Sequence, residues 1–271
     1  MGIWTLDDIP WHRFDPGKVD PELLRLVKAA SLVEQNGADY ATYLCNVFAD
    51  DPEFQDVARH WGDEERQHGL ALGRWASLAD PSFNHPEACA RFTAGYRVPL
   101  DAMQSVRGSA AGELVARCIV ETGTSSYYAA LGEAATEPVL VAICRRIAAD
   151  EIRHYKLFHT HLERYLASER LGRWGRLRIA LGRIAESEDD ELAFAYHAAN
   201  APLEHYDRRR SVTEYSRRAY GIYRRHHVEH GMALLFKAVG LKRNNWLNRL
   251  ATRVAWWVLR RRVARMARAA A

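Results

Sequence analysis

The chain has 271 residues, 48% of them hydrophobic and 27% charged, with 9 prolines and 17 glycines. That composition belongs to a globular protein and excludes a disordered, collagen-like or low-complexity chain. The formal net charge of +4 hides an asymmetry: from His230 onward there are 10 Lys or Arg and no acidic residue, whereas residues 1–229 carry 28 basic against 34 acidic side chains.

Taken in chain order, the first residues hold Trp4, Asp7 and Asp8 where a signal peptide would place basic residues and then an apolar stretch. Asp20-Pro21 and Asp51-Pro52 each join a helix-capping side chain to a proline suited to the first helical position. A loop is expected from about Asp80 to Gly108, irregular around Pro81, Asn84 and Pro86. Thr136-Glu137-Pro138 opens another helix, and no proline lies between Val139 and Ala201 or after Pro202. Alternating apolar and polar stretches are lacking, so the fold class is all-α. The longest purely apolar run near the C-terminus, Val254 to Leu259, is far short of the roughly 18 residues of a spanning helix. A soluble, cytoplasmic protein is expected.

Four stretches repeat apolar or small residues at alternating steps of four and three, the seam of a packed helix bundle. They run from Val27 to Phe48, Phe54 to Trp75, Ala110 to Leu131 and Leu140 to Tyr165. Each seam has a carboxylate in its middle: Glu34, Glu65, Glu121 and Glu151. Two add a histidine three residues later, His68 and His154. Arg117 is the one seam residue without an evident place there.

A buried carboxylate without compensation costs several kcal/mol. Two divalent metal ions would compensate four of them. Residues three apart on a helix share a face, so Glu65 with His68, and Glu151 with His154, can each offer one oxygen and one nitrogen to an ion. Glu34 and Glu121 can complete or bridge the pair. A ligand set rich in carboxylate and poor in nitrogen favours iron or manganese over zinc or copper. The order Glu, Glu-x-x-His, Glu, Glu-x-x-His recurs with intervals of 31 residues (Glu34 to Glu65) and 30 residues (Glu121 to Glu151), and the 56-residue step between the halves leaves room for a crossover loop.

In this ligand order the chain resembles the ferritin-like di-iron carboxylate superfamily. Within it, the chain is most similar to the soluble acyl-carrier-protein desaturases. The segments that carry the resemblance are Glu64-Glu65-Arg66-Gln67-His68 and the run AICRRIAADEIRHYKLF from Ala142 to Phe158, and it covers about residues 20–168. The resemblance implies a ferritin-like four-helix bundle within residues 1–168, behind a short N-terminal arm. Residues 169–271 would add further C-terminal helices and a basic tail packed on the bundle. Glu34, Glu65, His68, Glu121, Glu151 and His154 fall on its ligand positions. Asp150 falls where the family often has a carboxylate bonded to a ligand histidine, and Thr124 where the desaturases have a threonine beside the oxygen-binding face. Gly37 and Gly123 adjoin ligand positions and would leave space beside the metals.

The function implied is a non-haem di-iron oxidase or oxygenase that uses O2 to desaturate or hydroxylate an acyl-type substrate, presented on a carrier or free. Two Fe ions per chain, with Mn as the alternative, and an external electron donor (a ferredoxin or reductase) go with it. A homodimer is a further expectation; DNA is not an expected partner. The competing readings are a ferritin- or rubrerythrin-like ferroxidase or iron-binding protein, and a tRNA hydroxylase. The first is opposed by the lack of rubredoxin cysteines, by Thr124 and by the long helical extension.

Cys45, Cys89, Cys118 and Cys144 form no C-x-x-C pair and read as buried, reduced thiols. His226 to His230 contains H-x-x-E-H, a zinc-peptidase pattern, but no acidic residue follows Glu229 to complete it. A polar helix face is the reading there, and His197 and His205 have no partner spacing. The tail from Lys242 to Arg268 mixes arginines with Leu247, Leu250, Val254, Trp256, Trp257 and Val258. It suits an acidic acyl carrier protein, an anionic membrane surface or nucleic-acid phosphates, or else covers the bundle as a solvated helix. Base-reading motifs are absent, which places RNA last.

Overall fold

The computed structural model describes residues 4–186, 190–243 and 245–269. Its secondary structure is helical throughout, with no strand among the described residues. Short 3-10 turns lead into α1 (Pro21–Gln35), α2 (Gly37–Val47), α3 (Pro52–Ala79), α4 (His85–Gly95), α5 (Ala110–Ala134) and α6 (Pro138–Leu166). After these come α7 (Arg173–Ala185), α8 (Asp190–Asn200), α9 (Arg208–Gly221), α10 (Arg225–Ala238) and α11 (Trp246–Ala269). No described helix is long and apolar enough to cross a membrane.

The expected starts are made as read. Asp20 accepts from the backbone N–H of Glu22 and Leu23, and Asp51 from that of Phe54, with Pro21 and Pro52 in the first turns. Glu137 caps α6. Its buried carboxylate accepts from Leu140 N at 2.7 Å, from Trp75 Nε1 at 2.7 Å and from Asp15 N at 3.1 Å. One side chain thereby satisfies an orphan helix donor and fixes the N-terminal arm against α3.

Two expectations are corrected. The stretch from Asp80 to Gly108 is not a continuous loop, because α4 forms inside it. Asn84 accepts from Glu87 N at 3.3 Å and Pro86 sits in the first turn, the same cap-and-proline signal seen at Asp20 and Asp51. The first seam, read as one helix from Val27 to Phe48, is broken at Asn36. Asn36 N bonds Val33 O at 3.0 Å in a tightened last turn. Its side chain donates to Glu191 Oε1 of α8 at 3.3 Å, while Tyr40 OH donates to Glu191 Oε2 at 2.8 Å. The break shifts the seam in part: Ala38 is exposed and Cys45 half-buried, Gly37 and Leu44 are buried beside them, and Ala41 and Phe48 stay buried as read. In the second seam every residue is buried, from Phe54 through Trp61, Glu65 and His68 to Trp75.

The chain forms two compact units that interleave in sequence, each drawing on residues from either side of 168. The first takes in Met1–Met103, Leu131–Arg146 and Glu188–Arg218. In it α1 packs on α3, α8 and α4, and α2 packs on α3. Glycines let the α3 backbone come close: a Cβ on Gly62 would lie 2.6 Å from Ala41 Cβ, and one on Gly69 would lie 2.7 Å from Gln35 N. The second unit takes in Gln104–Ala130, Ile147–Ser187 and Ala219–Ala271. In it α10 packs on α11, Tyr155 OH of α6 donates to Leu234 O of α10 at 2.8 Å, and Ala111 N at the start of α5 donates to Glu169 Oε2 at 3.0 Å.

Candidate metal centre

Within the first unit, α1 supplies Glu34 and α3 supplies Glu65 and His68. Their donor atoms lie within 4.8 Å of one another, and the residues are 7%, 6% and 0% exposed. His68 Nδ1 is 3.6 Å from Glu34 Oε2 and 3.5 Å from Glu65 Oε2. The Glu65 and His68 side chains meet because they are one turn apart on α3. Glu34 meets them from the last turn of α1, two residues before the break at Asn36. Gly37 secures the approach: a Cβ on it would lie 2.3 Å from Glu65 Cβ. Burial, and next the neighbouring Glu65, push the Glu34 carboxyl up to about 8.

Within the second unit, α5 supplies Glu121 and α6 supplies Glu151 and His154, again with donor atoms within 4.8 Å of one another. Each of the three is 1% exposed. His154 Nδ1 is 3.7 Å from Glu121 Oε2 and 3.9 Å from Glu151 Oε2. The two triads are the same construction: a carboxylate from one helix, and a carboxylate and an imidazole one turn apart on a second helix.

These nitrogen–oxygen separations exceed the 2.7–3.2 Å of a good hydrogen bond. Two donors on one ion at about 2.1 Å stand about 3.0 Å apart at right angles and about 4.2 Å apart on opposite sides. All four separations, 3.5–3.9 Å, fall inside that span. In donor chemistry and spacing, each triad could hold a divalent metal ion.

Thr124 lies on α5 beside the second triad. Its hydroxyl donates to Glu151 Oε2 at 2.6 Å, so what it touches is a carboxylate of the triad. Asp150 is buried and accepts from Arg153 one turn on. Gly123 differs from Gly37: nothing lies within 4 Å of where its Cβ would be.

Several contacts were not read from the sequence. Trp4 stacks on His68, with ring centroids 5.9 Å apart and planes 7° from parallel, and Gln67 Nε2 donates to Trp4 O at 2.7 Å. No spacing rule links residue 4 to residue 68. Arg117 has its explanation in Glu113, one turn earlier: the buried pair stands 3.7 Å apart, and Glu113 Oε2 also accepts from Ser105 Oγ at 2.7 Å. The i, i+4 spacing is a signal that could have shown this. In the H-x-x-E-H segment, His227 Nδ1 accepts from Arg224 N at 3.0 Å and Glu229 pairs with Arg225 at 2.9 Å, so both serve the start of α10. The four cysteines are free. Cys118 and Cys144 are buried and Cys45 and Cys89 are half-buried; burial raises every one of the four thiols, Cys89 to about 11.

No family model matches the chain, and no curated protein matches it at a significant level.

Proposed function

We propose that each triad holds one metal ion, two per chain as in the ferritin-like di-iron proteins that the sequence resembles, and that the chain is a non-haem di-iron oxidoreductase. The observation that supports this reading is the repetition: two buried sets of two carboxylates and one imidazole, each spaced as ligands of a single ion. In that role Glu34, Glu65 and His68 would hold one ion, and Glu121, Glu151 and His154 the other.

Bound iron would supply O2 activation, with electrons from an external donor such as a ferredoxin or reductase. The protein's own share is positional. Burial keeps water from the ligands. Trp4 fixes the plane of the His68 ring by stacking, and Thr124 orients Glu151 by its short hydrogen bond, as supports of metal ligands commonly do. Asp150 is proposed to help orient a ligand imidazole. The substrate class that goes with the reading is an acyl chain, free or on a carrier, undergoing desaturation or hydroxylation.

The test is an anaerobic titration of the metal-free protein with ferrous iron, followed by admission of oxygen. Oxygen uptake is read against iron added. Uptake that saturates near two irons per chain, and then rises on addition of an acyl substrate, is the expected result. Iron oxidation continuing far beyond two per chain would make the protein a ferroxidase. Failure to bind iron or manganese would remove the metal reading altogether.

A further inference from the structure

The last helix of the second unit has no role in holding either triad. α11 carries seven arginines (Arg249, Arg253, Arg260, Arg261, Arg262, Arg265 and Arg268) and no acidic residue over 24 positions. One side packs on α10, where Thr252 is buried and Asn248 Nδ2 donates to Met232 O at 3.3 Å. The other side is exposed, yet it is apolar as well as basic: Trp246 is 73% exposed, Val254 52%, Trp257 53% and Leu250 48%. At 100° per residue, Trp246, Leu250 and Trp257 fall within a narrow arc, flanked on one edge by Arg249, Arg253 and Arg260. The guanidinium of Arg261 lies 3.9 Å from the Trp257 ring centre, and that of Arg260 lies 5.8 Å from Trp256.

A second helix of the same unit repeats the pattern. α7 has Arg173, Arg176, Arg178 and Arg183, no acidic residue, and exposes Trp174 (84%) and Leu181 (56%). It adjoins the turn into α11: Gly240, in the left-handed region at φ +76°, ends α10, and a Cβ there would meet Arg176 Nη2 at 2.5 Å.

We infer that this face of the second unit is a docking surface for an anionic lipid bilayer, with α11 lying in the plane of the headgroups. Tryptophans and arginines are the side chains that partition to that depth, the indole body among the acyl boundary and the guanidinium on lipid phosphate. The helix does not qualify as a span, which leaves the in-plane orientation. A nucleic acid would use the arginines and leave the apolar arc in water. A second copy would set seven arginines against seven. A bilayer accepts both chemistries along the whole ~36 Å of the helix.

The test is co-sedimentation of the full chain with vesicles of phosphatidylcholine alone and of phosphatidylcholine with phosphatidylglycerol at about 7:3. Binding to the anionic vesicles only, weakened by 0.5 M salt, is expected. The double variant Trp246→Ser/Trp257→Ser changes only exposed side chains and should lose about tenfold or more in affinity. Arg249→Gln/Arg253→Gln/Arg260→Gln should lose about a hundredfold, at about fivefold per arginine. No binding to anionic vesicles overturns the inference. So does binding that survives the tryptophan substitutions, or an RNA homopolymer or an acidic protein that binds more tightly than the vesicles and ignores those substitutions; these outcomes would make the surface purely electrostatic.

Discussion

Gly37 and Gly123 stand in similar sequence positions, three residues after Glu34 and two after Glu121, yet substitution by alanine should move stability in opposite directions. A Cβ at residue 37 would lie 2.3 Å from Glu65 Cβ, 3.1 Å from Glu65 Cγ and 3.4 Å from Gly62 O. Ordinary contact begins near 3.4 Å, so α2 and α3 must separate by about 1 Å. Overpacking of that kind costs about 1–3 kcal/mol, and alanine returns at most about 1 kcal/mol through its better helix propensity. Since the nearest atom is a Cβ that no side-chain rotation moves, the upper part of that range applies, and the net expectation is a loss of about 1–2 kcal/mol, or a fall in Tm of about 2–4 °C for a chain of this size. Because the clash falls on Glu65 itself, Gly37→Ala should also weaken metal binding. At residue 123 the position is exposed, helical and open, and nothing lies within 4 Å of the added methyl. Gly123→Ala should therefore stabilise by about 0.4–1 kcal/mol, chiefly by restricting the unfolded chain. Urea unfolding of both variants, with metal content read by elemental analysis, makes the comparison. A Gly37→Ala protein as stable as the parent, with unchanged metal content, would refute the close approach of the two helices as the reason for this glycine.

The other expectations concern the triads and one surface pair. Thr124→Val removes the donor 2.6 Å from Glu151 Oε2; equilibrium dialysis should show metal affinity lower by about 10–100-fold, restored by Thr124→Ser, and unchanged affinity would make the threonine a packing residue. Glu34→Ala and His154→Ala, one from each triad, should each cut the bound metal measured by elemental analysis; parental content in either variant removes that residue from the ligand set. Asp80 is held at about 2, well below the ordinary carboxylate range, first by its hydrogen bond from Lys28 Nζ and next by Ser82. A depressed carboxyl stabilises the fold above its unfolded value near 4, and that contribution is lost as pH falls from about 4 to about 2. Discounted for partial exposure, it is about 1 kcal/mol. Asp80→Asn should cost this amount in urea unfolding at pH 7 and nothing near pH 2; an equal cost at both pH values would assign the effect to something other than the charge.

What was legible in the sequence followed from local rules. The starts of α1 and α3 could be read because a capping aspartate and a proline act within one turn, and the same rule applied at Asn84 and Pro86 would have found α4. The four seams could be read because helix periodicity is local, and so the six triad side chains could be picked out before any fold was known. What could not be read depended on distant partners. The break at Asn36 is held by Glu191, 155 residues away, so the first seam looked continuous. Gly37 and Gly123 looked alike because a glycine beside a seam does not say which helix will approach it. Trp4 reaches His68 across an arm whose course is fixed by Glu137, a residue that in sequence announced only the start of α6.

The charge of each triad bears on why such a construction survives in a core. Two ionised carboxylates and a neutral imidazole carry −2, and a single divalent ion cancels that charge locally. Without a cation, two carboxylates this close cannot both stay ionised in a buried place, which is the physical content of the raised Glu34 carboxyl. A monovalent ion would leave one negative charge per triad, and a purely protein-based solution would need a buried arginine or lysine beside each. Arg117, a buried arginine, is paired with Glu113. One buried acid of the core is thus answered by a guanidinium, whereas a divalent ion is the compensation proposed for the two carboxylate pairs, each of which has its own histidine within reach.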